Sequence, residues 1–159
     1  MSRADEVVWA EIEAGDLDTR TLHDVLALRS EVFVVEQACA YQDLDGLDLL
    51  DGTVHVIGQV GGEAQGRIAA YARILAPDDP RPTPRIGRVI VALAARGRQL
   101  GRPLMRSALA CCEERWPGQA VELGAQEHLT GFYASLGFEA VSEPYVEDGI
   151  AHVWMRRES

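Results

Sequence analysis

The sequence contains no lysine, and its 15 Lys or Arg positions are all arginine. A phosphate-binding loop of the G-x-x-x-x-G-K-[ST] type needs a lysine, so an ordinary P-loop nucleotide hydrolase is excluded. Cysteine is scarce as well, with three residues, of which Cys111 and Cys112 are adjacent. Adjacent side chains on a helix do not face each other, and there is no C-x-x-C pair. We therefore expect neither a disulfide framework nor a structural zinc site.

Long apolar runs are also missing, and the mean hydropathy is -0.07. No stretch approaches the roughly 18 apolar residues of a membrane span. Asp5 and Glu6 stand where a signal peptide has basic and apolar residues. With 159 residues, 47% of them apolar and 25% charged, the composition is typical of a globular protein. We expect a single domain over residues 1–159, in a cytoplasmic protein that does not bind membranes.

The net charge of -10 argues against nonspecific binding of nucleic acid, which needs a basic surface. The charge is unevenly distributed along the chain. From Arg81 to Cys112 there are seven arginines and no acidic residue. A local cationic stretch within an acidic protein indicates a site for a small anion rather than for a polyanion.

Hydrophobic periodicity and turn residues predict a mixture of helices and strands. The predicted helices cover a segment ending near residue 36, with Asp18 or Thr21 as N-cap, and residues 101–116 and 127–136. The predicted strands cover residues 53–60, 67–75, 85–93, 120–125 and 150–156, with extended chain at 138–142 and 144–147. Turns are expected at Gly61-Gly62 and Asp148-Gly149, and loops at 37–46 and 77–84. This pattern predicts an α/β (α+β) fold with one sheet and helices on its faces.

The segment from Arg88 to Arg102 carries the clearest functional signal. It places a strand, a glycine-containing turn and the start of a helix in succession. The free N–H groups and the dipole of a helix N-terminus bind phosphate oxygens, and Gly97 and Gly101 allow a ligand to approach the backbone. An ordinary strand-to-helix turn with solvated arginines fits the same spacing, so the residues alone leave both interpretations open.

Two motifs in this part of the chain resemble those of the GNAT family of N-acetyltransferases. Arg96 and Gly101 match the ends of its [Q/R]-x-x-G-x-[G/A] motif, with Gln99 at the expected central glycine, and residues 132–138 (FYASLGF) match a second motif. Residues 33–37, 41–46, 123–126 and 147–152 are similar to the ElaA-like branch, so the resemblance covers about residues 20–156. It implies the GNAT fold, a mixed, mostly antiparallel central sheet flanked by helices and splayed at the cofactor-binding strands.

The resemblance also implies an activity. An acetyl group would pass from acetyl-CoA to a primary amine of a small molecule or peptide, by direct attack in a ternary complex and without a metal. Family members often form homodimers. The residues expected to bind acetyl-CoA are Val89, Ile90, Val91, Arg96, Gly97, Arg98, Gln99, Leu100, Gly101, Arg102, Gln126 and Phe132.

Tyr133 is the candidate general acid for the leaving thiolate, because a phenol (pKa ~10) and a thiol (pKa ~8.5) need only modest tuning. The alternative is a core tyrosine with a bonded hydroxyl. His152 and Glu36 rank first as general bases, ahead of Asp43, Glu127, His128 and a relaying water. Tyr41 and Asp43 are expected to contact the acceptor. The acids of their loop would attract a cation, or else form a solvated acidic surface: Asp43, Asp45, Asp48 and Asp51.

Two further classes of protein fit the sequence. One is a module that binds an acyl-CoA or a nucleotide without turnover, and the other is an interaction protein whose acidic surface docks a basic partner. Replacement of Tyr133 by Phe separates the enzyme from the binding module, and the heat of binding of a coenzyme A ester separates both from the interaction protein.

The first prediction concerns ligand-dependent stability. Acetyl-CoA at 100 times its dissociation constant would stabilise the native state by about 2.7 kcal/mol, because it binds only the folded chain. The melting temperature should then rise by at least a few degrees with acetyl-CoA and not with ATP. Absence of a rise at millimolar acetyl-CoA would favour the interaction protein.

Overall fold

A computed structural model of the chain describes residues 6–61 and 67–159. Eight strands form one sheet: β1 (Val7–Glu13), β2 (Val54–Val60), β3 (Arg67–Leu75), β4 (Arg85–Val91), β5 (Val121–Gln126), β6 (Glu139–Ala140), β7 (Tyr145–Glu147) and β8 (Ile150–Arg157). The helices are α1 (Thr19–Arg29), which continues as a π-helix over Ser30–Glu36, α2 (Gly101–Arg115) and α3 (Thr130–Ala134). The strand order is β1-β2-β3-β4-β5-β8-β6, with β7 paired to β8. All pairings are antiparallel except β4 with β5, which confirms the predicted sheet.

Most element predictions are confirmed within two or three residues at each end. Asp18 caps α1 by accepting a hydrogen bond from the Thr21 N–H at 2.7 Å, so the alternative cap at Thr21 is wrong. Asp148 and Gly149 both have positive φ, at 51° and 77°, as a two-residue hairpin turn requires. Of the predicted Gly61-Gly62 turn, Gly62 lies outside the described residues.

The sequence pattern did not predict β1. This strand lies at the edge of the sheet, and the alternation of its apolar residues is broken at Ala10. Trp9 packs flat on β2, where a Cβ added to Gly58 would lie 2.7 Å from the indole ring. The missing side chain at Gly58 is therefore what lets the edge strand bury its tryptophan.

The parallel pair β4 and β5 is joined at one position. Arg85 is the register partner of Glu122, and the Glu122 N–H donates to the carbonyl of Pro84 at 3.1 Å. Beyond that point the two strands diverge. A bulge lies on the same strand, because one residue of β3, Ala72, lies opposite two residues of β4, Arg88 and Val89, and Arg88 has φ 51°. The sheet is thus splayed at β4 and β5, as the resemblance implied.

A buried group of ion pairs fixes the loop between the π-helix and β2 to the sheet. We call it the arginine–aspartate cluster, and its members are Arg29, Arg73, Arg88, Asp43, Asp45 and Asp48. The Asp43 carboxylate accepts a hydrogen bond from the Nε of Arg29 at 2.9 Å and another from the Nε of Arg88 at 2.8 Å. The backbone carbonyl of Asp43 accepts a further hydrogen bond from each of the two guanidinium groups. The charges of the cluster balance, so Asp43, Asp45 and Asp48 do not form the predicted free acidic surface. Asp51, the fourth acid of that prediction, is exposed and lies outside the cluster.

The other two aspartates of the cluster are also bonded to arginine. Arg73 donates to Asp45 at 2.8 and 2.9 Å and to Asp48 at 2.9 Å, and Arg29 donates to Asp48 at 2.5 Å. The two guanidinium groups hold the pKa of the Asp48 carboxyl below its usual range, and Arg73 lowers that of Asp45 to about 2, although burial opposes both shifts. Asp45 and Asp48 are therefore bound as carboxylates by arginine.

We expect Arg29→Met to destabilise the protein by about 3–5 kcal/mol, because it removes one of the two arginine partners from each of the buried carboxylates of Asp43 and Asp48 and leaves the cluster with an unbalanced negative charge. The measurement is the urea unfolding midpoint at unchanged slope. Arg20→Met, on the exposed side of the same helix, is the matched control and should stay within about 0.5 kcal/mol. Equal stability of the two variants would contradict a stabilising role of the cluster.

Candidate active site

A cleft of about 430 Å³ opens where β4 and β5 diverge. Its walls come from both strands, the loop that follows the π-helix, the β7–β8 hairpin and α3. The cleft brings together five residues that were predicted for the site: Tyr41, Val89, Gln126, Tyr133 and His152. The other predicted site residues, including Glu36, Asp43, Phe132 and the turn from Arg96 to Arg102, lie outside its lining.

The edge of β4 that faces the split has free backbone groups. Ile90 is the register partner of Tyr71, and the Ala92 N–H donates to Ala69 at 2.8 Å. Since the bonding direction alternates along a strand, Val89 and Val91 point their N–H groups away from β3, into the split. Val89 and Val91, two of the three β4 residues predicted to bind the cofactor, therefore offer hydrogen-bond donors in the split. The N–H of the third, Ile90, faces β3 and bonds within the sheet.

The turn after β4 contains two residues with left-handed backbone conformation. Gly97 and Gln99 both have positive φ, at 90° and 58°. Gln99 therefore adopts the left-handed conformation for which glycine is the usual residue, and it does so at a cost of about 1–2 kcal/mol. Gln99 thus has a backbone conformation typical of glycine at the position where the motif has glycine.

The turn leads into the N-terminus of α2, whose first intrahelical bond runs from the Leu104 N–H to the Leu100 carbonyl at 3.0 Å. The N–H groups of Gly101 and Arg102 precede that bond and are free to bind an anion. Phe132 packs against this end, because a Cβ on Gly101 would lie 3.3 Å from its ring. The Arg102 guanidinium lies 5.8 Å from the centre of the same ring.

Glu36 and Arg96 were predicted separately, as a base and as a phosphate ligand, and the structure pairs them. The carboxylate of Glu36 accepts both terminal nitrogens of Arg96, one of them at 2.9 Å, and Arg96 Nε donates to the Val91 carbonyl at 3.2 Å. This pairing lowers the pKa of the Glu36 carboxyl, so Glu36 is a weaker base here than an isolated glutamate. The ion pair joins the end of the π-helix to the turn.

Tyr133 lies in the wall of the cleft with 6% of its surface exposed. Its ring packs edge-on against Phe132 and Phe138, with centroid distances of 5.2 and 6.0 Å. Burial raises the pKa of Tyr133 to about 12, so the phenol is neutral at physiological pH. No side chain or backbone group in residues 6–61 and 67–159 hydrogen-bonds its hydroxyl. The interpretation of Tyr133 as a core tyrosine with a bonded hydroxyl is therefore not favoured.

His152 faces the same cleft from β8, opposite Gln126 of β5. Its ring stacks on Tyr145 at 5.8 Å, and its Nδ1 lies 2.8 Å from the carbonyl of Ile150. A carbonyl only accepts, so Nδ1 carries the proton in the neutral ring and Nε2 retains the free lone pair. His152 is thus held in the tautomer that can accept a proton at Nε2.

Tyr41 and Asp43 have different positions relative to the cleft. The Tyr41 ring lines it beneath Arg88, whose guanidinium lies 5.6 Å from the ring centre, and burial raises the pKa of Tyr41 to about 12. Asp43 is 4% exposed and is not part of the lining. Because its carboxylate is already bound by two arginines and by the Tyr41 hydroxyl at 3.1 Å, its placement favours holding Tyr41 over contacting an acceptor.

Sequence reasoning did not identify the residues at the other end of the cleft. These residues are Arg81, Arg85, Tyr145 and Trp154. The cationic stretch that begins at Arg81 was the available signal, but it assigned all seven arginines to one anion site. In the structure Arg88 belongs to the buried cluster and Arg96 to the Glu36 pair, which leaves only part of that charge for a ligand.

A split sheet with free strand N–H groups beside a helix N-terminus is the frame of an acyltransferase of the GNAT type. Residues 33–159 match the family model described as "Acetyltransferase (GNAT) domain". Protein ElaA of Escherichia coli is 46% identical over 96% of this chain and 97% of its own length. The chain therefore belongs to the GNAT family, and within it the chain is ElaA-like.

Solved structures agree with this placement. The crystal structure of Escherichia coli ElaA, 44% identical, superposes with a TM-score of 0.88 over 96% of this chain and all of that one. An acyl-CoA N-acyltransferase from Pseudomonas aeruginosa, 43% identical, superposes with a TM-score of 0.89 over 96% and 99%. Among the described residues, no helix is long and apolar enough to cross a membrane.

We expect Gln99→Gly to stabilise the protein by about 0.5–1 kcal/mol. Glycine removes the strain of positive φ but adds conformational freedom to the unfolded chain, and the first effect is the larger. The measurement is the thermal midpoint of the variant and of Arg98→Gly, its neighbour, where φ is not positive and glycine should destabilise. A lower midpoint for Gln99→Gly would contradict the strained backbone.

Proposed function

We propose that the protein transfers an acetyl group from acetyl-CoA to a primary amine, by direct attack of the amine in a ternary complex. The observation that carries the proposal is the position of Tyr133. It presents a neutral phenol, with no bonding partner among the described residues, in the cleft beside the open edge of β4. A proton donor at that place is what a departing thiolate needs.

The residues around the turn fit the donor. Its pyrophosphate would lie against the free N–H groups of Gly101 and Arg102, with Gly97 and Gln99 turning the backbone toward it. Its pantetheine arm would run along β4, where Val89 and Val91 offer N–H groups that polarise the thioester carbonyl. Gln126, at the end of β5, and Phe132, beside Gly101, would complete this site.

The proton transfers follow from the placement of two side chains. Nε2 of His152, or a water bound to it, takes a proton from the incoming ammonium group, so that the amine can attack. The C–N bond forms as the C–S bond breaks, the Tyr133 hydroxyl protonates the sulfur, and the nitrogen loses its second proton to solvent. Tyr133 then regains its proton from solvent or from His152, and one proton is released for each amide formed. Glu36, already bound to Arg96, is less suited to the role of base.

The relatives support a transfer reaction rather than simple binding. The Pseudomonas aeruginosa protein described as an acyl-CoA N-acyltransferase shares 43% of its residues with this chain over nearly the full length of both. The cationic acceptor inferred from the acidic loop is not part of the proposal, because the arginine–aspartate cluster neutralises those acids.

We expect Tyr133→Phe to lower kcat by at least about 10²-fold, since general acid catalysis contributes about 10²–10⁴-fold. The measurement is thiol release from acetyl-CoA across a panel of primary amines. The rise in melting temperature with acetyl-CoA should be the same in both proteins, because the phenol is not expected to bind the nucleotide part of the donor. An unchanged kcat would show that Tyr133 is not the acid, and a wild type without turnover would favour the binding module.

A further inference from the structure

The end of the cleft away from Tyr133 and His152 is walled by two arginines. Arg81 comes from the proline-rich loop and Arg85 from the first residue of β4, and both line the cleft. The guanidinium of Arg81 lies over the ring of Trp154, 5.6 Å from its centre. We call Arg81, Arg85 and Trp154 the arginine end of the cleft.

Arg85 has a nitrogen without a partner. Its side chain is 10% exposed, and its Nη1 is buried and makes no hydrogen bond. Nη2 donates to Asp78 at 3.1 Å, and that carboxylate is 56% exposed. A buried donor without an acceptor is destabilising, and a ligand oxygen that bound it would remove that cost.

The described residues do not supply the missing acceptor. Glu122, the register partner of Arg85, has its two oxygens occupied by Trp154 Nε1 at 2.7 Å and by Arg156 Nη1 at 2.9 Å. Arg81 forms no ion pair within the part of the chain that the structure describes. Arg73 and Arg88, which also line the cleft, have their charges paired with the aspartates of the cluster, although the Nε of Arg73 has no partner. At the arginine end, Arg81 supplies the charge that no ion pair balances among the described residues, and Arg85, itself paired with Asp78, supplies the buried donor Nη1.

The arginine end and the catalytic end belong to one cleft, because Arg81, Arg85, Tyr133 and His152 all line it. Trp154 and His152 are two residues apart on β8, about 7 Å along the strand, and point to the same face. A Cβ on Gly124, the register partner of Trp154, would lie 2.9 Å from the Tyr145 hydroxyl and 3.4 Å from the Trp154 ring, so these two side chains fill the space over Gly124. A ligand that reaches both ends therefore lies against Tyr145 and Trp154, which also line the cleft.

We propose that the acceptor is an amine that carries a carboxylate, with the two groups at opposite ends of the molecule. The inference rests on the proposed acetyl transfer and adds the substrate class. The amine lies at Tyr133 and His152, and the carboxylate binds Arg85 Nη1 and the guanidinium of Arg81. A free amino acid with a terminal side-chain amine and a short peptide with a free α-amine share this chemistry.

The test compares acceptors that differ only in the carboxylate. Lysine is paired with 1,5-diaminopentane, and Ala-Ala with Ala-Ala-amide, so the two pairs also distinguish the two sources of the amine. Thiol release from acetyl-CoA gives kcat/KM for each. We expect the acid of at least one pair to be favoured roughly 10- to 100-fold, as for a charge-assisted hydrogen bond. Equal values within both pairs would overturn the proposal.

A second test uses variants to locate the preference for the carboxylate-bearing acceptor at the arginine end. Arg85→Gln and the exposed Arg81→Gln should each bring the favoured acid toward the value of its neutral partner. Arg67→Gln, at the exposed start of β3 and outside the cleft, removes the same charge and should leave the ratio unchanged. Persistence of the full preference in both cleft variants would overturn the proposal. The rise in melting temperature with acetyl-CoA shows that each variant is folded and binds the donor.

A wild type that acetylates none of the four acceptors would count against the acetyl transfer itself. The carboxylate site is then tested by a binding measurement, in which N-acetyl-Ala-Ala is titrated by calorimetry into the protein saturated with coenzyme A. Binding that is lost in Arg85→Gln supports the site although the reaction fails. Absence of binding to the wild type overturns the site as well.

Discussion

The arginine–aspartate cluster is the constraint on which the rest of the site depends. Asp43, at its centre, is bonded at once to Arg29 of α1 and to Arg88 of β4, and so joins a helix, a loop and the sheet. Buried charges are tolerated only when each is paired, and removal of one partner leaves the others exposed to the full cost of desolvation. The loop over the cleft therefore has one low-energy position, with Tyr41 held between Asp43 and Arg88.

The same ion pairs stabilise the distortion that opens the sheet. Arg88 has positive φ within a strand, which is unfavourable for a residue with a side chain, and its guanidinium is bound by Asp43 and Asp45. The bulge changes the direction of β4 after its single pairing with β5, and the N–H groups of Val89 and Val91 are left to face the split. Loop, bulge and open strand edge are thus parts of one arrangement.

Charged residues in different parts of the cleft have different roles. Three of its arginines serve the fold or the turn, since Arg73 and Arg88 bind aspartates and Arg96 binds Glu36 just outside the lining. Tyr133 and His152 stand at one end, where neither side chain has a charged partner among residues 6–61 and 67–159, as suits groups that exchange protons with a substrate. Arg81 and Arg85 stand at the other end, where an unsatisfied donor remains. The cleft therefore has a proton-transfer end and a cationic end, a difference that the composition alone did not reveal.

The sequence by itself determined the elements and the family. Period and turn residues located nearly all helices and strands, and the FYASLGF segment and the Arg96–Gly101 spacing pointed to the GNAT fold, because such signals depend on neighbours along the chain. Only the tertiary structure decided which charges meet. Asp43 and Arg88 are 45 residues apart, and Glu36 and Arg96 are 60 apart. A composition count cannot tell an aspartate that faces solvent from one that binds a buried arginine, since that depends on which strands are brought together.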